Sequence, residues 1–167
     1  MTKLLGFPEE VNDTSARIVA AGAVSLAVLY AATGWGWVLI PLTYGFIARV
    51  ASGPRFSPLG LFATKVLTPR LTTINHRILP GPPKRFAQGI GAIFSATASV
   101  LFLLELNTAS RLVAAALAGP AFLEAAFGYC VGCKMFNLLM RIGIIPESVC
   151  VECSDISARL ARQSPAA

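Results

Sequence analysis

The fold class this sequence predicts is all-α and polytopic: a membrane protein of four transmembrane helices with an amphipathic surface segment between helices 2 and 3. Residues 1–167 form a single integral membrane domain in that reading. Three observations carry it. Hydrophobic residues make up 55% of the chain and charged residues only 13%, against about 25% charged in a typical soluble domain. Mean hydropathy is +0.67, and the apolar residues come in long runs, as bilayer-spanning helices require. The basic residues gather between those runs instead of interrupting them.

Residues 1–16 are polar and punctuated by Pro8, and Asn12-Asp13-Thr14-Ser15 offers side-chain acceptors for the free N–H groups of a helix start near Ala16. The uncharged Ala/Val/Leu stretch that follows gives a first span at about 17–33, with its start a little earlier than the apolar run. Gly34-Trp35-Gly36-Trp37 is a turn carrying two tryptophans where an interfacial aromatic belt belongs. The second span, about 37–50, follows at once and ends near Arg49. Pro41 inside it is tolerated because neighbouring helices satisfy the freed backbone groups.

Residues 51–86 differ in character. They carry Arg55, Lys65, Arg70, Arg77, Lys84 and Arg85, no acidic residue and six prolines. Phe56, Leu59, Leu61, Phe62, Val66 and Leu67 recur between the charges at roughly helical spacing. That pattern predicts a short amphipathic helix on the membrane surface with its basic face toward lipid head groups; a solvated basic loop is the plainer reading. The third span, about 86–106, holds Gly89, Gly91, Ala92, Ser95, Ala96, Ala98 and Ser99, small residues that let another helix approach closely. The fourth, about 110–129, contains Pro120 and Glu124. Residues 130–167 are a tail in which an apolar stretch, 135–145, is interrupted by Arg141 and a further helix is predicted at 154–163.

With four spans the N-terminus, the 51–86 segment and the C-terminus share one side, and that side carries every Lys and Arg except Arg111. The excess of basic residues places it, and both termini, in the cytoplasm. Lys3 is followed by Glu9, Glu10 and Asp13, the wrong charge order for a secretory signal. The net charge of +6 does not imply nucleic acid, since aromatic residues are not interleaved with the basic ones. The lipid bilayer is the first partner.

All four cysteines fall in two CxxC pairs, Cys130/Cys133 and Cys150/Cys153, with sixteen residues between them. Three chemistries suit that pattern. Cys130, Cys133, Cys150 and Cys153 match the spacing of a four-thiolate zinc site, or would ligate an iron–sulfur centre. Alternatively they serve disulfide exchange or sulfur transfer: a helix beginning near Lys134 would lower the pKa of the first pair, and Lys134 would add to the effect. Glu152, with Glu147 and Asp155 nearby, would make Cys150 and Cys153 the less reactive, resolving or relay pair. The third reading is plain packing, which suits a lone cysteine better than two CxxC pairs. In a reducing cytoplasm stable structural disulfides are not expected. Glu124, inside an apolar span six residues before Cys130, is a candidate catalytic carboxylate or the helix-to-helix partner of a basic residue such as Arg49. Glu105 and Arg111 read as interfacial, and His76 as a solvated loop histidine within range of the thiols.

The motifs Gly53-Pro54-Arg55-Phe56-Ser57-Pro58, Gly81-Pro82-Pro83-Lys84-Arg85-Phe86-Ala87-Gln88 and Phe127-Gly128-Tyr129-Cys130-Val131-Gly132-Cys133 resemble an uncharacterised bacterial family of small four-helix integral membrane proteins, a domain of unknown function with an FGxCxGC motif. The resemblance covers nearly the whole chain. It implies the four-span fold, a bacterial inner membrane, and association with thioredoxin-like or sulfurtransferase proteins; it carries over no catalytic residue. The expectation that follows is a membrane thiol protein whose cytoplasm-facing CxxC pairs exchange disulfides or transfer sulfur with a soluble partner. The alternative is a non-enzymatic subunit of a larger membrane complex whose cysteines hold zinc or an iron–sulfur centre. A small transporter with Glu124 on its path is weaker, because four spans seldom enclose a pore alone.

Overall fold

Asn12 opens the first helix by accepting the backbone N–H of Thr14 on its side-chain oxygen at 2.9 Å. In the computed structural model, which describes residues 10–53, 56–67, 78–146 and 149–150, that helix, α1, spans Asp13–Thr33 and closes at Gly34. A 3-10 turn, Gly36–Val38, leads into α2, Leu39–Ser52. A short helix α3, Pro58–Phe62, is capped by Ser57 and runs into a π-helical turn, Ala63–Leu67. The long helices α4, Gly81–Leu103, and α5, Asn107–Phe127, follow, and then α6, Val131–Arg141. Two three-residue strands, β1 (Glu10–Asn12) and β2 (Ile78–Pro80), pair antiparallel.

Side-chain bonds fix the packing direction. Tyr30 meets Ser110, and Arg17 reaches the carbonyls of Ala125 and Ala126, so α1 and α5 run antiparallel. Thr43 meets Ser99, Arg49 meets Gln88, and Arg85 reaches the Val50 carbonyl, so α2 and α4 do the same. Lys84 opposite Glu124 and Ser110 on the Ala98 carbonyl set α4 against α5. The core between them holds Ala23, Ala27, Tyr30, Val38, Leu42, Phe46, Ala98 and Leu117. The small-residue face expected of the third span lies at this contact: a Cβ on Gly91 would stand 2.2 Å from the Phe46 ring.

Three helices, α1, α4 and α5, are long and apolar enough to cross a membrane. The large apolar side chains Ile40, Ile93, Leu103 and Leu112 point outward, the inside-out surface a bilayer suits. The second predicted span is shorter. At ~1.5 Å per residue α2 reaches about 21 Å, short of a hydrocarbon core of about 30 Å, and the apolar stretch with its 3-10 lead is Gly36–Ser52.

Several boundaries move. The first span starts at Asp13, because Asn12 and not a later residue caps it. The third starts at Gly81: Pro82 and Pro83 stand in the first turn, where a missing N–H costs nothing. This takes Lys84 and Arg85 out of the surface segment and into a long helix. The surface segment itself contains a helical stretch at Pro58–Leu67. Its Leu59 lies against α1 at Gly22, while Phe56, Phe62 and Lys65 are exposed. The tryptophans of the turn after α1 are exposed and stacked, ring centroids 6.0 Å apart. Arg55, Arg70, His76, Arg77, Glu147, Glu152, Cys153, Asp155 and the helix predicted at 154–163 lie outside the described residues.

Candidate thiol site

The site is assembled where α5 ends and α6 begins. Gly128, at φ +68, closes α5 by donating its N–H to the Glu124 carbonyl at 2.9 Å, a left-handed backbone that glycine adopts without strain. Cys130 then acts as N-cap of α6, its sulfur accepting the backbone N–H of Cys133 at 3.4 Å. The first CxxC therefore straddles a helix start, three residues earlier than the sequence places it. Gly132 between the cysteines is needed for fit, since a Cβ there would lie 2.6 Å from the Ala87 side chain on α4. The first turn of α6 is thereby laid directly on α4.

Charge gathers around the pair. Lys84, in the first turn of α4, forms an ion pair with Glu124 at 2.5 Å, the two side chains 4% and 12% exposed. The sequence offers Arg49 as the partner of Glu124; the structure corrects this to Lys84. The register of α2 on α4 takes Arg49 elsewhere: its Nε donates to Gln88 Oε1 at 2.8 Å, its Nη1 to Ser57 Oγ at 3.3 Å, and its guanidinium lies over the Phe46 ring. Among the described residues Arg49 makes no ion pair, although it is buried.

The two thiols are unlike. Cys130 is held below the usual thiol range chiefly by the hydrogen bond from the Cys133 side chain; the Lys84 charge and the Cys133 N–H act the same way, against burial and Glu124. Cys133 is pushed up, first because its proton is committed to Cys130, then by burial. Both are free, Cys130 buried and Cys133 half-buried. The pair thus divides into a nucleophile and a proton-bearing neighbour, the division thiol–disulfide exchange needs.

Two cavities meet at Cys130. One, of about 200 Å³, is lined by Pro83, Lys84, Tyr129, Cys130, Cys133 and Lys134, with Lys134 Nζ 5.7 Å from the Tyr129 ring centroid. The other, of about 280 Å³ and largely apolar, extends into the bundle past Cys130, Glu124, Gln88 and Arg49.

The second CxxC is reached only in part. Cys150 is buried against Phe136 and Met140 of α6 and is disulfide-bonded, which corrects the expectation that no stable disulfide forms; Cys153 lies outside the described residues. Among the described residues no three metal-capable side chains converge. Sequence reading did not single out Lys84, Gln88 or Arg17. Two prolines followed by Lys-Arg and an apolar run are the signal that could have put Lys84 in the first turn of a helix; which way its side chain faces is set by packing, since Arg85 beside it is exposed.

The match to a known family covers residues 11–141 and is described as a domain of unknown function. The chain belongs to the DUF4395 family. The DUF4395 match runs from β1 to the end of α6 and includes Lys84, Glu124, Cys130 and Cys133, while Cys150 and Cys153 fall beyond it. No curated protein and no solved structure matches the chain.

Proposed function

We propose that this DUF4395 chain is a membrane thiol protein in which Cys130 and Cys133 perform disulfide exchange or sulfur transfer with a soluble, thioredoxin-like or sulfurtransferase partner. The observation that carries the reading is the placement of Cys130: an N-cap thiol beside a buried lysine, hydrogen-bonded by its CxxC neighbour, lining a basic cleft. The Cys130 thiolate attacks the partner's disulfide, expelling one partner thiolate, and Cys133 resolves the mixed disulfide by displacing the other; with a persulfide partner Cys130 takes the outer sulfur as its own persulfide and the partner leaves as a thiolate. Lys84 and Lys134 favour an anionic sulfur in that cleft. Glu124 acts by holding Lys84 in place. Cys150 and Cys153 are a second station that passes oxidising equivalents or sulfur on.

In the same reading α2 crosses the bilayer with its 3-10 lead, making four spans of a bacterial inner membrane. The antiparallel order of α1, α2, α4 and α5 supports this, as does the pairing of β1 with β2 at the end rich in Lys and Arg. That end, with both termini, faces the cytoplasm.

The test is a trapping experiment on the full chain. Cys133→Ser, incubated with the mixed disulfide of a peptide and thionitrobenzoate, accumulates a stable adduct on Cys130, while Cys130→Ser forms none and the wild type releases the peptide as it closes its own disulfide. Stoichiometric zinc or iron retained by all four cysteines in protein purified without chelator contradicts the proposal and favours the scaffold reading.

A further inference from the structure

We infer that the apolar cavity behind Cys130 takes the ring of a lipid-soluble quinone, which accepts the two electrons of the Cys130–Cys133 dithiol. The inference rests on the thiol-exchange reading, run in the direction in which a soluble partner's dithiol reduces the Cys130–Cys133 disulfide, and supplies what that direction needs, a route for electrons out of the pair.

Four features of the cavity point to such a ligand. Its wall is mostly apolar, with Val19, Ala20, Leu117 and Met135 among the lining residues, so a hydrocarbon-soluble ring enters without stranding polar groups. Phe94 and Ala116, also on the wall, are exposed on the outer faces of α4 and α5. An isoprenoid tail can therefore leave between those two helices into lipid. At about 280 Å³ the space suits a substituted ring and not a whole lipid. The fourth feature is Arg49. Arg49 makes no ion pair within contact distance among the described residues, the Glu124 carboxylate on the same cavity wall acting on it only from further off, and its Nη2, which is not sealed in the protein, donates to no described residue. Carbonyl oxygens that gain negative charge on reduction suit that unused donor. Cys130 lines this cavity as well as the basic cleft, so one sulfur reaches a soluble partner on one side and a membrane ligand on the other.

The step balances. The Cys130 thiolate adds to a ring carbon of the quinone, forming a C–S bond and placing an electron pair on a ring oxygen beside Arg49. The Cys133 sulfur then attacks the Cys130 sulfur; the S–S bond forms and the C–S bond breaks, its electron pair passing to the ring. The two thiol protons end on the two quinol oxygens. Dithiol and quinone become disulfide and quinol.

The experiment uses the full-length chain in lipid–detergent micelles, reduced, desalted and kept anaerobic, with decylubiquinone as the probe. Quinone absorbance and free thiols are followed together, and each preparation is assayed in parallel for exchange with oxidised glutathione. The expected result is one quinone reduced for every two thiols lost. Arg49→Leu, and Ala121→Phe, which fills the cavity without touching a charge, each slow quinone reduction by about tenfold or more while glutathione exchange continues. If one variant fails to fold, the other decides. Normal glutathione exchange with no quinone reduction, or with quinone reduction equally fast in both variants, overturns the inference and leaves the thiol reading standing. Failure of both reactions in the wild type overturns the thiol reading itself.

Discussion

At one end of the α1–α5 pair, Arg111 donates to the carbonyls of Ala31 and Ala32; at the other, Arg17 donates to those of Ala125 and Ala126. Each helix thus carries, at its fifth residue, the arginine that satisfies carbonyls in the last turn of its antiparallel neighbour. Inward of these matching caps the two ends part company. Beside Arg111 the interior is neutral: the Tyr30 and Ser110 hydroxyls meet at 2.5 Å and Ser110 donates to the Ala98 carbonyl at 2.6 Å. Beside Arg17 lie the Lys84–Glu124 pair, the buried Arg49 and the two free thiols. Since Tyr30 and Ser110 tie α1, α4 and α5 together at the neutral end with hydroxyls, buried charge is not needed to pack these helices. Such groups are costly inside a membrane protein and mark function when they persist.

That contrast can be broken in order of size. Glu124→Leu strands a buried ammonium and is expected to destabilise the protein by about 3–5 kcal/mol, whereas Lys84→Met/Glu124→Leu recovers most of the loss; thermal unfolding in lipid–detergent micelles measures both. If the double variant is as unstable as the single one, the pair is structural and the contrast fails. Gly91→Ala drives a methyl into the Phe46 ring and is expected to cost about 1–3 kcal/mol by the same assay, with Phe46→Leu partly compensating. At the neutral end Tyr30→Phe removes one hydrogen bond, for a loss of about 1 kcal/mol, and leaves the alkylation rates of both thiols unchanged. Arg111→Ala, at an exposed helix end, costs about 0.3–1 kcal/mol and likewise leaves the thiols untouched.

Some of this was legible in the sequence. Asn12 announced its helix, the uninterrupted apolar runs announced α1, α4 and α5, and the CxxC announced a helix start beside a basic residue. Lys84 was misplaced because Pro82 and Pro83 look like loop punctuation when they stand in fact in the first turn of a helix. The partner of Glu124 was beyond reading. Lys84 precedes it by 40 residues, and the choice between Lys84 and Arg49 depends on the register of three packed helices. The reciprocal arginine caps are tertiary in the same way: Arg17 and the Ala125 carbonyl are 108 residues apart. The β1–β2 pairing joins strands of three residues, too short to show an alternating pattern.

The central claim is that the charged end exists to activate Cys130. Its most direct test is the pH dependence of iodoacetamide alkylation in the full chain, with each modified cysteine located by mass spectrometry. Cys130 should react first, with an inflection below the ~8.5 of a free thiol, and Lys84→Met should move that inflection upward because the lysine charge favours the thiolate. Preferential labelling of Cys133, or a Cys130 inflection that stays put when Lys84 is replaced, would contradict it.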